Sequence, residues 1–181
     1  MDMMRQADAR PGELRLADTG DIIEILNIIS QAQHYFKTQG IDQWQNGYPD
    51  RSVVEQDVAS GQCFVYVQNG RVAGTAVLSL AHEPTYDRIY DGHWNSSGPY
   101  GVIHRIAVDP GVKGGGIAGL FVDALEKMCI THGICAIRVD THRDNRSMQA
   151  VLKKYNFQYC GIVYMADWGE RLAFEKAVCI A

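Results

Sequence analysis

The chain has 181 residues, 46% of them hydrophobic and 21% charged, with a formal net charge of -4. That length fits one domain with a core of ordinary size, and the acidic balance leaves no basic footprint for nucleic acid as a partner. No apolar run approaches the roughly 20 residues that span a bilayer, and the polar, charged start from Met1 to Arg10 carries no secretory h-region, so no membrane partner and a cytoplasmic location are expected.

Residues 1–12 read as a flexible N-terminal segment and 13–181 as one folded domain. Leu14-Arg15-Leu16 is a short strand candidate, followed by Asp18 and Thr19 as capping residues. Ile22, Ile25, Leu26 and Ile29 then recur at helical spacing, predicting a helix over about 21–36. The polar, aromatic stretch "KTQGIDQWQNGYPD" separates it from a second, short helix opened by the capping box Ser52-x-x-Glu55 and closed by Gly61. Two β-rich runs flank Asn69-Gly70, a strong hairpin signal.

Residues 81–100 form a connection rich in His, Tyr, Asp and Gly, longer than a plain hairpin loop. "VIHRIAV" (102–108) is the next strand. Ile117, Leu120, Phe121, Ala124, Leu125 and Met128 then make one apolar helix face. "AIRVDT" is a strand, Met148 to Tyr155 a helix, and two strands close the chain around 159–164 and 171–175. The order is β-α-α-β-β-β-α-β-α-β-β: an α/β or α+β domain on a mixed sheet, with one β-α-β unit over 102–141. The cysteines Cys63, Cys129, Cys135, Cys160 and Cys179 lie in apolar segments without CxxC spacing, and are expected to be reduced, buried thiols.

The stretch "GVKGGGIAGL" supports two readings. Gly114-x-Gly116-x-x-Gly119 between a strand and a helix, with Asp140 ending the next strand, matches a dinucleotide fingerprint and would imply a NAD-dependent enzyme. Against it, residues 109–113 intervene before the glycines, and the 41 residues after Asp140 hold one helix and two strands instead of further β-α units. Alternatively, a backbone stripped of β-carbons wraps a coenzyme pyrophosphate, the free N–H groups of the helix N-terminus face the anion, and Lys113 adds a cation.

With the order of elements, the blocks "IAVDPGVKGGGIAGLF" and "DTHRDNRSMQAVLKKYNF" resemble the GNAT superfamily of acyl-CoA N-acyltransferases, from Leu14 to about Lys176. The resemblance implies a mostly antiparallel central sheet and acetyl-CoA as acyl donor, without a metal. It implies direct transfer to a primary amine of an unidentified small molecule or peptide, and allows a homodimer. It assigns the pantetheine arm to the backbone of Ile106, Ala107 and Val108 and to Asn145, which is equally suited as a helix N-cap. It assigns the pyrophosphate to Lys113, Gly114, Gly115, Gly116, Ile117 and Ala118. The two parallel strands are expected to splay apart near Val108 and Asp140. Leu152 stands where the family commonly has an acidic tyrosine, and this departure leaves a coenzyme A-binding sensor as the alternative to an enzyme.

Tyr155, three residues further along the helix, is the substitute acid. His104 is the candidate base, since imidazole suits proton transfer near neutral pH, and strict alternation puts it on the face of Ile106 and Val108. Asp140 and His142 are alternatives or partners, and are also expected at the acceptor site. A zinc site from His82, His93, His104 and His142 has no spacing motif behind it. For the acceptor, Trp44, Tyr48, Tyr86, Tyr90 and Trp94 are candidate pocket walls, with Glu83, Asp87 and Asp91 to attract a cationic amine.

Overall fold

A computed structural model describes residues 12–166 and 169–179, so the segment read as a flexible N-terminus lies almost wholly outside the described residues. The strands are β1 (Glu13–Leu16), β2 (Cys63–Gln68), β3 (Arg71–Ser79), β4 (Tyr100–Val108), β5 (Ala136–Thr141), β6 (Gln158–Tyr164) and β7 (Glu170–Ala177). The helices are α1 (Ile22–Thr38), α2 (Arg51–Ala59), α3 (Ile117–Thr131) and α4 (Arg146–Lys154). The expected order of elements is the observed one. The seven strands form one sheet in the order β1-β2-β3-β4-β5-β7-β6, in which β4–β5 is the parallel pair.

Alternating strand residues divide the core between the two sheet faces. Phe121, Leu125, Ile137 and Leu152 pack under α3 and α4. Ile25, Val54, Val65 and Val77 pack under α1 and α2. On that second face, a smaller cluster of Tyr86, Val102, Val163 and Ala173 lies beneath the long connection between β3 and β4.

That connection is held by Arg138. Its guanidinium lies 4.1 Å from the Trp94 ring centroid and 3.8 Å from that of Tyr100. Nε donates to Glu175 at 2.7 Å and Nη2 to the Ser96 carbonyl at 2.9 Å. A buried guanidinium paired with a carboxylate and covered by two rings is one of the few ways to keep such a charge inside.

β4 departs from regular alternation. Thr75 pairs with Ala107 and Val77 with His104, so two steps of β3 oppose three of β4. The extra residue is a bulge, with Arg105 in the left-handed region at φ 49. The phase flips there: Ile106 and Val108 pack on the α3 face with Ile103, and Ala107 on the α1 face. His104, opposite Val77, is therefore not on the face of Ile106 and Val108, contrary to strict alternation.

The parallel pairing of β4 with β5 covers only Tyr100–Val102 against Ala136–Arg138. The strands thus part six residues before Val108, earlier than expected, and the β5-facing edge of β4 from Ile103 onward has no strand partner among the described residues.

The reading of all five cysteines as reduced is corrected. Cys135 and Cys179 form a disulfide, while Cys63, Cys129 and Cys160 are free and buried. The cause is register: Ala136 pairs antiparallel with Ala177, so the residues just before β5 and just after β7 meet, with Cα atoms 4.8 Å apart.

Candidate active site

A cleft of about 1280 Å³ opens where β4 and β5 part. Its floor is Ile103–Val108 and Val139–Thr141; the glycine loop closes one end, and the segment after α1 and the β6–β7 turn wall the other.

The glycine loop takes its shape from Asp109, whose Oδ1 accepts from the Gly111 N–H at 2.7 Å. Gly114 (φ 91) and Gly116 (φ 82) are left-handed, which glycine adopts without steric cost. A β-carbon on either would meet nothing within 4 Å, so their bare faces look into open space. Gly116 caps α3 without a side chain, and the N–H groups of Gly119 and Leu120 are the first to bond back, to its carbonyl. The N–H groups of Gly116, Ile117 and Ala118 thus have no backbone partner among the described residues. Three free donors at a helix N-terminus suit a phosphate. Lys113, Gly114, Gly116, Ile117 and Ala118 line the cleft, as do Ile106, Ala107 and Val108. Gly115 does not: its N–H turns inward to the Val112 carbonyl at 3.2 Å. Lys113 Nζ lies 4.6 Å from the Tyr35 ring centroid. Lys154 adds a second cation on the cleft that sequence reasoning missed.

Asn145 caps α4, Oδ1 accepting from the Met148 N–H at 3.1 Å, and its Nδ2 donates to Gln43 Oε1 at 3.0 Å. That same oxygen faces the Thr141 hydroxyl (3.4 Å) and the His142 N–H (3.3 Å). Gln43, also missed, ties the segment after α1 to the end of β5 and the start of α4. The Asn145 amide is therefore engaged at both ends by the protein itself.

His104 lines the cleft with its Nε2 3.6 Å from Glu83 Oε2. Burial, with Arg105 adjacent, lowers its pKa to about 4 against the opposing pull of Glu83, so the imidazole is neutral at neutral pH. Arg105, turned by the bulge towards α2, is held bidentately by Asp57, both bonds at 2.7 Å, and donates to the Tyr48 hydroxyl at 2.9 Å. Leu152 is buried in the α3-side core and does not line the cleft. Tyr155 ends α4 as its C-cap and lines the cleft, with its hydroxyl against Gly119.

Of the expected acceptor walls, Trp44, Tyr48 and Asp140 line the cleft, and Tyr86, Tyr90, Trp94 and His142 do not. Tyr86 is buried with its hydroxyl on Asp140. Tyr90 bridges to Ile162 and stacks edge-on with Tyr164. Trp94 lies under Arg138 and donates to the Tyr86 carbonyl. His142 receives the Asp144 N–H on Nδ1; burial lowers its pKa, and Arg171 adds to that. Each of the four is spent on holding a loop or strand end. Glu83 lines the cleft, whereas Asp87 pairs with exposed His82. Asp140 has its pKa raised by burial, opposed by the Tyr86 bond and by Arg171. Arg171, on β7, also lines the cleft and had no sequence signal.

Among the described residues, no group of three His, Cys, Asp or Glu side chains is arranged to hold a metal ion. None of the described helices is long and apolar enough to cross a membrane.

The family model described as the acetyltransferase (GNAT) family matches residues 25–157. A GNAT-family acetyltransferase of Streptococcus agalactiae is 34% identical and superposes with a TM-score of 0.83, over 93% of this chain and 96% of that one. A putative acetyltransferase of Staphylococcus aureus (23% identity, TM-score 0.69, 92% and 99% covered) shares the fold. So does the ribosomal-protein-S18-alanine N-acetyltransferase of Escherichia coli (16%, 0.62, 94% and 96%). Comparison with curated protein sequences finds no match.

Proposed function

The chain belongs to the GNAT family of acetyltransferases, and on that premise we propose that it transfers an acetyl group from acetyl-CoA directly to a primary amine of a small molecule or peptide. The observation that carries this reading is the early parting of β4 from β5, which opens a cleft running from the free N–H groups of α3 to His104 and Asp140. The residues present fit the coenzyme. Gly114 and Gly116 leave a cradle that a β-carbon would enter, three N–H groups face it, and Lys113 and Lys154 stand at its rim.

The coenzyme supplies an activated thioester. The unpaired β4 edge over Ile106–Val108 offers backbone N–H groups to the pantetheine arm and to the developing oxyanion, where preorganised donors act most strongly. His104 presents a neutral nitrogen to the attacking amine. With a pKa near 4 it is too weak a base to strip a free ammonium ion efficiently. It suits the proton released once the new N–C bond has made the nitrogen far more acidic, and Glu83 stands 3.6 Å away to stabilise the imidazolium. Tyr155 is assigned the proton for the departing thiolate. Residues 13–181 act as one domain in this reading.

Burial of Leu152 favours one second reading, a coenzyme A sensor without turnover. Thermal unfolding with ligand and a thiol-release assay over a panel of amines and peptides separate the two. Acetyl-CoA is expected to raise the Tm where NAD does not, and thiol release is expected with at least one amine. A shift by NAD alone overturns the coenzyme assignment, and tight acetyl-CoA binding without any turnover favours the sensor.

A further inference from the structure

The charges lining the acceptor end of the cleft do not match a simple cationic amine. Glu83, Asp140 and Asp42 supply acid groups, yet Arg171 also faces the cavity. Ala173 pairs with Asp140 on β5, and Arg171 pairs with Val163 on β6. Two-residue alternation therefore puts Arg171 on the face of Ala173 and Asp140. Strand spacing and rise separate its Cα from that of Asp140 by about 8 Å.

The other arginine lining the cleft is neutralised: Arg105 has Asp57. Arg171 is not. Its hydrogen bond among the described residues runs from Nη1 to the Glu170 carbonyl at 2.8 Å, and no described carboxylate lies within 4.0 Å of it. A half-buried guanidinium that no described carboxylate pairs directly, and whose charge Asp140 meets only at a distance, repels a simple ammonium ion and attracts an anion, and its planar fork suits a carboxylate. We propose that the acceptor is an amine that also bears a carboxylate, the amine lying between His104 and Asp140 and the carboxylate on Arg171. This inference rests on the acetyl-transfer reading and narrows its substrate to amino acids and related amino carboxylates. Binding then neutralises Arg171 and leaves Glu83 and Asp140 to the amine.

The test compares α-, β- and γ-amino acids, each beside its carboxamide and the plain amine lacking the carboxyl group, with steady-state kinetics on the purified chain. Calorimetric titration of the same compounds into coenzyme A-loaded protein gives a readout that needs no turnover. The expected result is a preference of at least about tenfold in kcat/KM or in Kd for one carboxylate over its carboxamide, the scale of a hydrogen bond to a charged group. Arg171→Gln is expected to reduce that preference to about threefold or less, chiefly through KM, and Arg171→Lys to restore part of it. Equal or better use of carboxamides, plain amines or C-terminally amidated peptides overturns the proposal, as does a preference that survives Arg171→Gln, or no binding by any carboxylate. Acetyl-CoA affinity is titrated separately: its absence sinks the acetyl-transfer reading itself, whereas its presence without carboxylate preference sinks only this inference.

Discussion

The Tyr86 hydroxyl donates to Asp140 Oδ2 at 2.8 Å, joining the long β3–β4 connection to the end of β5 at the mouth of the cleft. Burial raises the Asp140 pKa, and this bond is the chief force opposing the rise. A carboxyl whose folded-state pKa lies above its unfolded value lowers stability as pH climbs through the folded value. Tyr86→Phe removes the donor and enlarges that penalty. The expected loss is about 1–3 kcal/mol where Asp140 is ionised and smaller in acid where it is protonated. Urea unfolding over a pH series that spans the carboxyl's titration reads the difference, and an equal loss throughout would show that Asp140 is not the tyrosine's partner in solution.

His104 makes the opposite kind of pH statement. Its folded pKa near 4 lies below the ordinary 6.5, so between those values the unfolded chain takes up a proton that the folded chain refuses. Stability therefore falls as pH drops from 6.5 towards 4. His104→Gln is expected to flatten that acid limb while lowering kcat by about 100-fold, a loss that holds wherever the parent imidazole is neutral and shrinks as pH falls towards 4. A pH–rate profile of unchanged shape and height would remove His104 from proton transfer.

Gly116→Glu addresses the coenzyme end. Its left-handed backbone costs a side chain about 1–2 kcal/mol, and the open space beyond the missing β-carbon is where the pyrophosphate is assigned. A carboxylate there is expected to weaken acetyl-CoA binding by at least about 100-fold through loss of hydrogen bonds and charge repulsion. Gly116→Ala carries the backbone strain without the charge and is expected to bind much better than the Glu variant. Calorimetry on samples shown to be folded by circular dichroism decides it. Unaltered affinity in folded Gly116→Glu would move the pyrophosphate elsewhere.

Much of the fold was legible because local periodicity and turn chemistry agree with it. The apolar faces of α1 and α3, the Asn69-Gly70 turn and the glycine loop each announce themselves within a few residues. What escaped depends on contacts between distant parts of the chain. One inserted residue at Arg105 reverses the phase of β4, and "VIHRIAV" has no glycine to mark it. Gln43 sits in a polar stretch, and its partners Thr141, His142 and Asn145 lie about a hundred residues away. Cys135 meets Cys179, and Arg171 flanks Asp140, only through the β5–β7 register. The length of the aromatic connection marks it as more than a hairpin loop, but Tyr86, Tyr90 and Trp94 pin it and do not line the cleft.

Gly119 and Tyr155 form a pair whose coupling can be measured. A β-carbon at Gly119 would overlap the Tyr155 hydroxyl and ring, so Gly119→Ala must push the tyrosine aside. Alanine's helix propensity gains about 1 kcal/mol over glycine, but overpacking costs about 1–3 kcal/mol. The variant is therefore expected to be no more stable than the parent, and up to about 2 kcal/mol less. In a Tyr155→Ala background the obstacle is gone, and the same substitution is expected to stabilise by about 1 kcal/mol. A double-mutant cycle by urea unfolding reads this as a coupling of about 1–3 kcal/mol. Additive effects would place the tyrosine ring away from α3. Tyr155→Phe keeps the ring and removes the proton. If the hydroxyl serves the departing thiolate, kcat falls by at least about tenfold with acetyl-CoA affinity unchanged. An unaltered kcat would leave Tyr155 as packing for the first turns of α3 and hand the thiolate's proton to water.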